Sequence, residues 1–212
     1  MIEVYAFSTP NSVRVPVMLE ELDLDYELKS VNVRKGEQKT PEHLARNPNA
    51  KVPVLVDPDG PDDKRLVLTE SGAILVYLAE KTGKLLPKDA VARARVFEQL
   101  FFHLTGIGPA FGQAGYFQKQ APEPVPAARL RFETEAARVM KVFDERLAHS
   151  IYAAGDEFTI ADIAHFGWIW RRAFADVDLA NYPNVQRWFD LVSERPAVKR
   201  AVEKVVALVP QD

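Results

Sequence analysis

A change of texture near Gly83 divides this 212-residue chain into two kinds of sequence. Upstream, short runs of strand-like composition alternate with helical patterns. Downstream of Leu85-Leu86-Pro87 the apolar residues recur at helical spacing only. Neither one uniform sheet nor one uniform bundle accommodates both halves. The pattern calls for a small mixed α/β unit followed by a helical one, and with 47% apolar and 27% charged residues the chain has the material for compact cores.

In the upstream half, residues 2–7 read as a strand, Ser8-Thr9-Pro10-Asn11 as a turn and residues 13–22 as a helix. Pro16 is tolerable there because N–H groups of a first turn lack intrahelical partners. Residues 26–33 form a second strand, so the opening is β-α-β, which favours a parallel pair. Residues 52–56 and 65–68 flank the turn cluster Asp57-Pro58-Asp59-Gly60-Pro61 and predict an antiparallel pair. A helix over 71–81 with Gly83 at its C-terminal stop closes the unit.

In the downstream half, Phe97, Leu100, Phe101 and Leu104 share a face that ends at a break over Gly106-Ile107-Gly108-Pro109. Phe132, Ala136, Val139, Met140, Phe143 and Leu147 mark a long amphipathic helix after the loop carrying Pro122, Pro124 and Pro126. Thr159-Ile160-Ala161-Asp162 has the spacing of a capping box, with Phe158 as staple residue. The helix it starts is so apolar that a central position follows. Two further helices surround Trp188 and residues 198–209.

The chain contains no cysteine, which excludes a dithiol redox cycle and a cysteine nucleophile. Any sulfur chemistry must bring its sulfur on a cosubstrate. The net charge of −3 argues against a nucleic-acid partner held through its phosphates. No secretory signal or membrane span is visible, so a cytoplasmic protein is expected. His43, His103, His149 and His165 lack metal-ligand spacing, and no metal is expected. Tyr5, inside the first strand beside Val4, reads as core packing.

Three short segments carry possible chemistry. In Lys51-Val52-Pro53, the proline suits a sheet edge; alternatively, a cis peptide before it presents the Val52 N–H and C=O to a peptide-like ligand as an added strand. In Thr69-Glu70-Ser71-Gly72, Ser71 is an ordinary helix cap or part of an anion site at a helix N-terminus, with Glu70 placed to meet an ammonium group. The turn Ser8-Thr9-Pro10-Asn11 is a capped turn; in a thioredoxin-like fold it occupies the place of redox cysteines and offers hydroxyls and an amide instead.

These segments, with Asn47-Pro48-Asn49-Ala50-Lys51-Val52-Pro53, Gly106-Ile107-Gly108-Pro109, Thr159-Ile160-Ala161-Asp162 and Tyr182-Pro183-Asn184-Val185, fall in the order found in the glutathione transferase superfamily, and the chain resembles it throughout. The Thr-Pro-Asn turn and the contexts of Gln38, Gly108-Pro109 and Arg131 are most similar to the nu class, associated with glutathione-dependent disulfide reduction. The resemblance implies an α+β thioredoxin-like glutathione-binding domain over 1–83 and an all-α helical bundle domain over 89–212. It implies that Val52, beside Lys51 and Pro53, pairs with the cysteinyl unit of glutathione, that Glu70 and Ser71 hold the γ-glutamyl end, that Gln38 contacts the glycyl end, and that Arg131 adds positive charge. Asn11, helped by Thr9, would stabilise the glutathione thiolate. A homodimer acting on small disulfides is the implied enzyme. The alternatives are conjugation of glutathione to small electrophiles, with Phe111, Tyr116 and Phe117 lining a second pocket, and a non-catalytic binding or assembly module.

Overall fold

The structure, a computed structural model, describes residues 1–210. It divides into two compact units, one of Met1–Lys84 together with the segment that begins at Glu194, the other of Leu85–Ser193.

The first unit is built on a four-stranded sheet of order β2-β1-β3-β4, with β1 Ile2–Ala6, β2 Tyr26–Ser30, β3 Val54–Asp57 and β4 Leu66–Thr69. β1 and β2 run parallel, while β3 runs antiparallel to both β1 and β4, as the β-α-β opening and the 57–61 turn predict. Strand alternation sends Ile2, Val4 and Ala6 into the core and Glu3 and Tyr5 to the other face. Tyr5 is therefore not a core residue. It is half-buried, donates to Glu3 Oε2 at 3.0 Å and lies under the Arg46 guanidinium, 4.2 Å from its ring centre.

Helix α1 (Arg14–Glu21) links β1 to β2, α2 (Pro41–Arg46) precedes β3, and α3 (Ser71–Thr82) follows β4. Gly83 ends α3 at φ +69, a conformation that costs glycine no Cβ clash. Asp57 at the end of β3 receives Tyr77 Oη at 2.7 Å and Lys81 Nζ at 2.5 Å, tying α3 to the sheet. Burial pushes the Asp57 carboxyl upward, but these bonds outweigh it and the group sits below its ordinary range.

The second unit contains α4 (Ala90–Phe102), α5 (Gly108–Lys119), α6 (Pro126–Leu147), α7 (Ile160–Trp170) and α8 (Pro183–Ser193). The expected break at 106–109 is instead a π-helical turn, His103–Ile107, in which the Gly108 N–H reaches back to the His103 carbonyl. Pro109 has no N–H to offer the next bond, and the wider turn carries the chain past it. α7 is buried along residues 160–169, the central position its composition predicts. The capping box is present, and the Asp162 carboxylate additionally receives the Ala153 N–H and the Trp188 indole, each at 2.8 Å.

The last helix, α9 (Pro196–Val206), belongs to the first unit, where it packs on α1. Its buried Ala197, Val198, Ala201 and Val205 supply the apolar contact. Arg195 grips Glu21 through two bonds of 2.7 Å, and Arg200 and Lys204 both reach Glu20 at 2.6 Å.

Candidate functional site

A cleft of about 190 Å³ in the first unit gathers Asn11, Lys51, Val52, Pro53, Glu70 and Ser71, with Asn47 and Asn49 completing its lining. Three chain segments far apart in sequence therefore meet, each for a local reason.

The first is the turn between β1 and α1. Thr9 Oγ1 accepts the Ser12 N–H at 3.1 Å and donates to Ser12 Oγ at 2.9 Å, and Ser12 Oγ accepts the Phe7 N–H at 3.4 Å. Thr9 is thus engaged in shaping the turn and does not line the cleft. Asn11 is half-buried in the lining, and no described residue takes up its side-chain amide. An amide left this way has two N–H donors for a ligand.

The second segment is the loop before β3. The Val52–Pro53 peptide is cis. β3 begins its ladder only at Val54, so Val52 stands outside the sheet, and no described residue pairs with its N–H or C=O. The loop is held from behind by side chains that the sequence reading did not single out. His43 Nε2 and Asn47 Nδ2 both donate to the Lys51 carbonyl at 2.9 Å, and Asn47 Oδ1 accepts the Asn49 N–H at 3.0 Å. His43 and Asn47 are buried, so these donors are shielded from water. The Lys51 side chain is exposed and in no ion pair with a described residue.

The third segment starts α3. The spacing predicts Ser71 as the cap, but the cap position is Glu70, whose side chain makes no cap bond. The first N–H groups of α3 consequently keep the positive end of the helix dipole uncovered. Glu70 has φ +63 and ψ +110, a conformation that costs a non-glycine residue on the order of 1–3 kcal/mol. Ser71, the first helical residue, is buried, and its Oγ accepts from Arg14 Nη1 at 2.9 Å. Arg14 is a further residue the sequence reading missed. A lone cation among Val13, Val15, Val17 and Met18 was the available signal.

Two further residues named from the resemblance are not among those lining this cleft. Gln38 is half-buried in the 3₁₀ turn Glu37–Lys39, outside the cleft lining, with its Oε1 buried and unpartnered among the described residues. Arg131 is exposed on α6 in the second unit, beside Thr134 and Glu135. Of the aromatics expected around a second pocket, Phe111 is fully buried edge-on to Trp168, and Phe117 stacks on Phe132 with ring centres 5.5 Å apart. Among the described residues there is no group of three or more acidic or histidine side chains able to hold a metal, and no helix is long and apolar enough to cross a membrane.

The cleft thus offers one unpaired backbone N–H and C=O at Val52, one uncapped helix start with a hydroxyl, a carboxylate beside it, a nearby ammonium and a free amide. That set is complementary to a short peptide with a free amino-acid terminus.

Comparison with known proteins identifies the family. The glutathione S-transferase N-terminal domain model matches residues 2–80, and the C-terminal domain model matches residues 107–196. The chain is 41% identical over 207 residues to the disulfide-bond oxidoreductase YfcG of Escherichia coli, covering 96% of this chain and 95% of that protein. A glutathione transferase family member from Pseudomonas fluorescens, solved with two glutathione bound, is 42% identical with a TM-score of 0.90, over 95% of this chain and 92% of that one. A glutathione transferase from Pseudomonas putida, solved with one glutathione disulfide per subunit, is 38% identical with a TM-score of 0.89, over 95% and 90% of the two chains. The chain belongs to the glutathione S-transferase family.

Proposed function

We propose that this protein reduces disulfide bonds with glutathione, using the glutathione thiolate as the nucleophile. The observation that carries the reading is the position of Asn11. Its unclaimed amide lines the same cleft as the unpaired Val52 backbone and the α3 start, in a chain without a thiol of its own.

In this reading Val52 pairs with the cysteinyl unit as an added strand, Pro53 shapes that edge, and Lys51 lies along the same side. Ser71 and the α3 N–H groups take the γ-glutamyl carboxylate, and Glu70 takes the ammonium group. Gln38 serves the glycyl end and Arg131 adds positive charge from the helical domain. Glutathione is assigned to the domain over 1–83 and the helical role to the domain that the sequence reading bounds at 89–212, less α9, which packs in the first unit. Thr9 acts on the sulfur site by fixing the turn that presents Asn11.

A free thiol has a pKa of about 8.5, so only a few per cent is ionised near neutrality. A donor at the sulfur favours the anion, and each unit of lowering corresponds to about 1.4 kcal/mol. Asn11 stabilises the charge and does not remove the proton, which leaves to solvent. The thiolate attacks one sulfur of the substrate disulfide; the S–S bond breaks, the other sulfur departs as a thiolate, and a mixed disulfide with glutathione forms. A second glutathione thiolate then attacks the glutathione sulfur of that mixed disulfide, releasing the remaining substrate thiol and glutathione disulfide. Two electrons pass from two glutathiones to one disulfide. The buried Phe111 and the Phe117–Phe132 stack leave less support for the apolar second pocket that conjugation needs. A cytoplasmic homodimer fits the family and the exposure of Phe101 and Leu130 on α4 and α6.

The test is product analysis. Incubation with a small disulfide and glutathione is expected to yield glutathione disulfide and free substrate thiol. A stable thioether from an electrophile, without disulfide turnover, would favour conjugation, and glutathione binding without either product would favour a binding module.

A further inference from the structure

Ser71 shares its hydroxyl between two directions, and only one of them is explained by the protein itself. Its Oγ accepts from Arg14 Nη1 at 2.9 Å, 57 residues away in sequence. A guanidinium carries donors only, so the Ser71 proton cannot point back along that bond. No described residue accepts the Ser71 proton, while Ser71 lines the cleft.

We propose that Arg14 is a positioning residue for carboxylate recognition: by occupying a lone pair of Ser71 Oγ from the buried side, it turns the Ser71 O–H into the cleft. This rests on the glutathione reading above and assigns a selectivity for ligands with an α-carboxylate. Arg14 is 1% exposed on α1 and does not line the cleft, so it acts through Ser71 and not by touching ligand. Burial pushes its guanidinium down to about 9, which leaves it charged at neutral pH. A buried cation behind the hydroxyl polarises the O–H and adds to the field of the uncapped helix start. Lysine on this stem would keep a charge and a donor, whereas methionine keeps the volume and loses both.

The experiment compares wild type, Arg14→Lys and Arg14→Met by calorimetric titration with three reduced tripeptides. These are glutathione, glutaryl-cysteinylglycine, which keeps the carboxylate and lacks the ammonium, and γ-aminobutyryl-cysteinylglycine, which keeps the ammonium and lacks the carboxylate. In Arg14→Met, the first two ligands are expected to weaken about tenfold, the third to change less than threefold, and Arg14→Lys to recover most of the loss. Equal weakening for all three ligands, with recovery by lysine or without it, would mean that Arg14 only supports the fold and would overturn the proposal. Should Arg14→Met not fold, the wild type carries the test by nitrogen-edited NMR of the Arg14 guanidinium. Its Nη proton resonance is expected to move with glutaryl-cysteinylglycine and stay with γ-aminobutyryl-cysteinylglycine; movement with neither or with both overturns it. Failure of wild type to bind any of the three would instead sink the underlying glutathione reading.

Discussion

The indole N–H of Trp188 on α8 meets the Asp162 carboxylate at the start of α7 over 2.8 Å, inside a fully buried pocket. The same carboxylate takes the Ala153 and Thr159 N–H groups, so one acidic side chain ties two helices and a loop. Burial pushes Asp162 up to about 6 despite these donors.

The pH dependence follows from that direction. The folded state holds the Asp162 proton at pH values where the unfolded chain has already released it, so the folded state binds more protons in the interval. The contribution of Asp162 to stability should therefore be greatest near pH 4 and fall as pH rises to about 6, by on the order of 3 kcal/mol. Denaturant midpoints across this interval, compared with those of Asp162→Ala, measure it. A contribution that instead grows with pH would show a carboxyl held below its ordinary value.

Gly115 on α5 has no room for a side chain. A Cβ there would lie 2.2 Å from the Phe174 ring and 2.7 Å from the Phe174 carbonyl oxygen. Gly115→Ala is expected to cost about 1–3 kcal/mol, read from the urea midpoint, because the backbone oxygen cannot swing away as a ring can. Gly112→Ala, whose Cβ would meet Trp168 at an ordinary 3.7 Å, serves as the tolerated control.

The loop that presents Val52 depends on donors behind it. Asn47→Ala removes the 2.9 Å bond to the Lys51 carbonyl and the 3.0 Å bond that accepts from Asn49. Glutathione affinity is expected to fall about tenfold, with a smaller effect on the melting temperature. Calorimetric titration with glutathione checks the first part and a thermal scan the second.

Ending the chain at Ser193 removes α9 from the face of α1. With Val198 and Val205 no longer buried, a loss of about 4 kcal/mol is expected, a drop in Tm on the order of 10 °C. Differential scanning calorimetry reads it. Glutathione binding should weaken in parallel, since α1 begins directly after the Asn11 turn.

Much of the fold is legible in the sequence itself. The β-α-β opening, the antiparallel return, the Gly83 stop and the Thr159–Asp162 cap are local signals, and local signals survive folding. Boundaries shifted where side chains compete with the ladder. β2 stops at Ser30 because Glu37 takes the Asn32 N–H at 2.6 Å and Asn32 Oδ1 takes that of Arg34. α2 has only six residues, too few to show a helical period. Tyr5 leaves the expected core because alternation with Val4 fixes opposite faces of β1, not a shared core. Of the site, the cleft gathers Asn11, the Lys51–Pro53 loop and the Glu70–Ser71 junction. The supporting Arg14, His43 and Asn47 escaped because their roles are long-range bonds that spacing does not encode.

Asn11 also makes a prediction about rate. Asn11→Ala is expected to lower kcat/KM for a small disulfide at least tenfold with little change in glutathione affinity, since the amide is assigned to the sulfur and not to the ends of the tripeptide. Steady-state kinetics alongside titration separates the two.

The most direct measurement is the pKa of the thiol of bound glutathione, followed by the ultraviolet absorbance of the thiolate in wild type and Asn11→Ala. A midpoint at least one unit below the free value of about 8.5 in wild type, returning toward it in the variant, is the predicted result. An unshifted midpoint in wild type, or a lowered one that ignores the loss of Asn11, would contradict it.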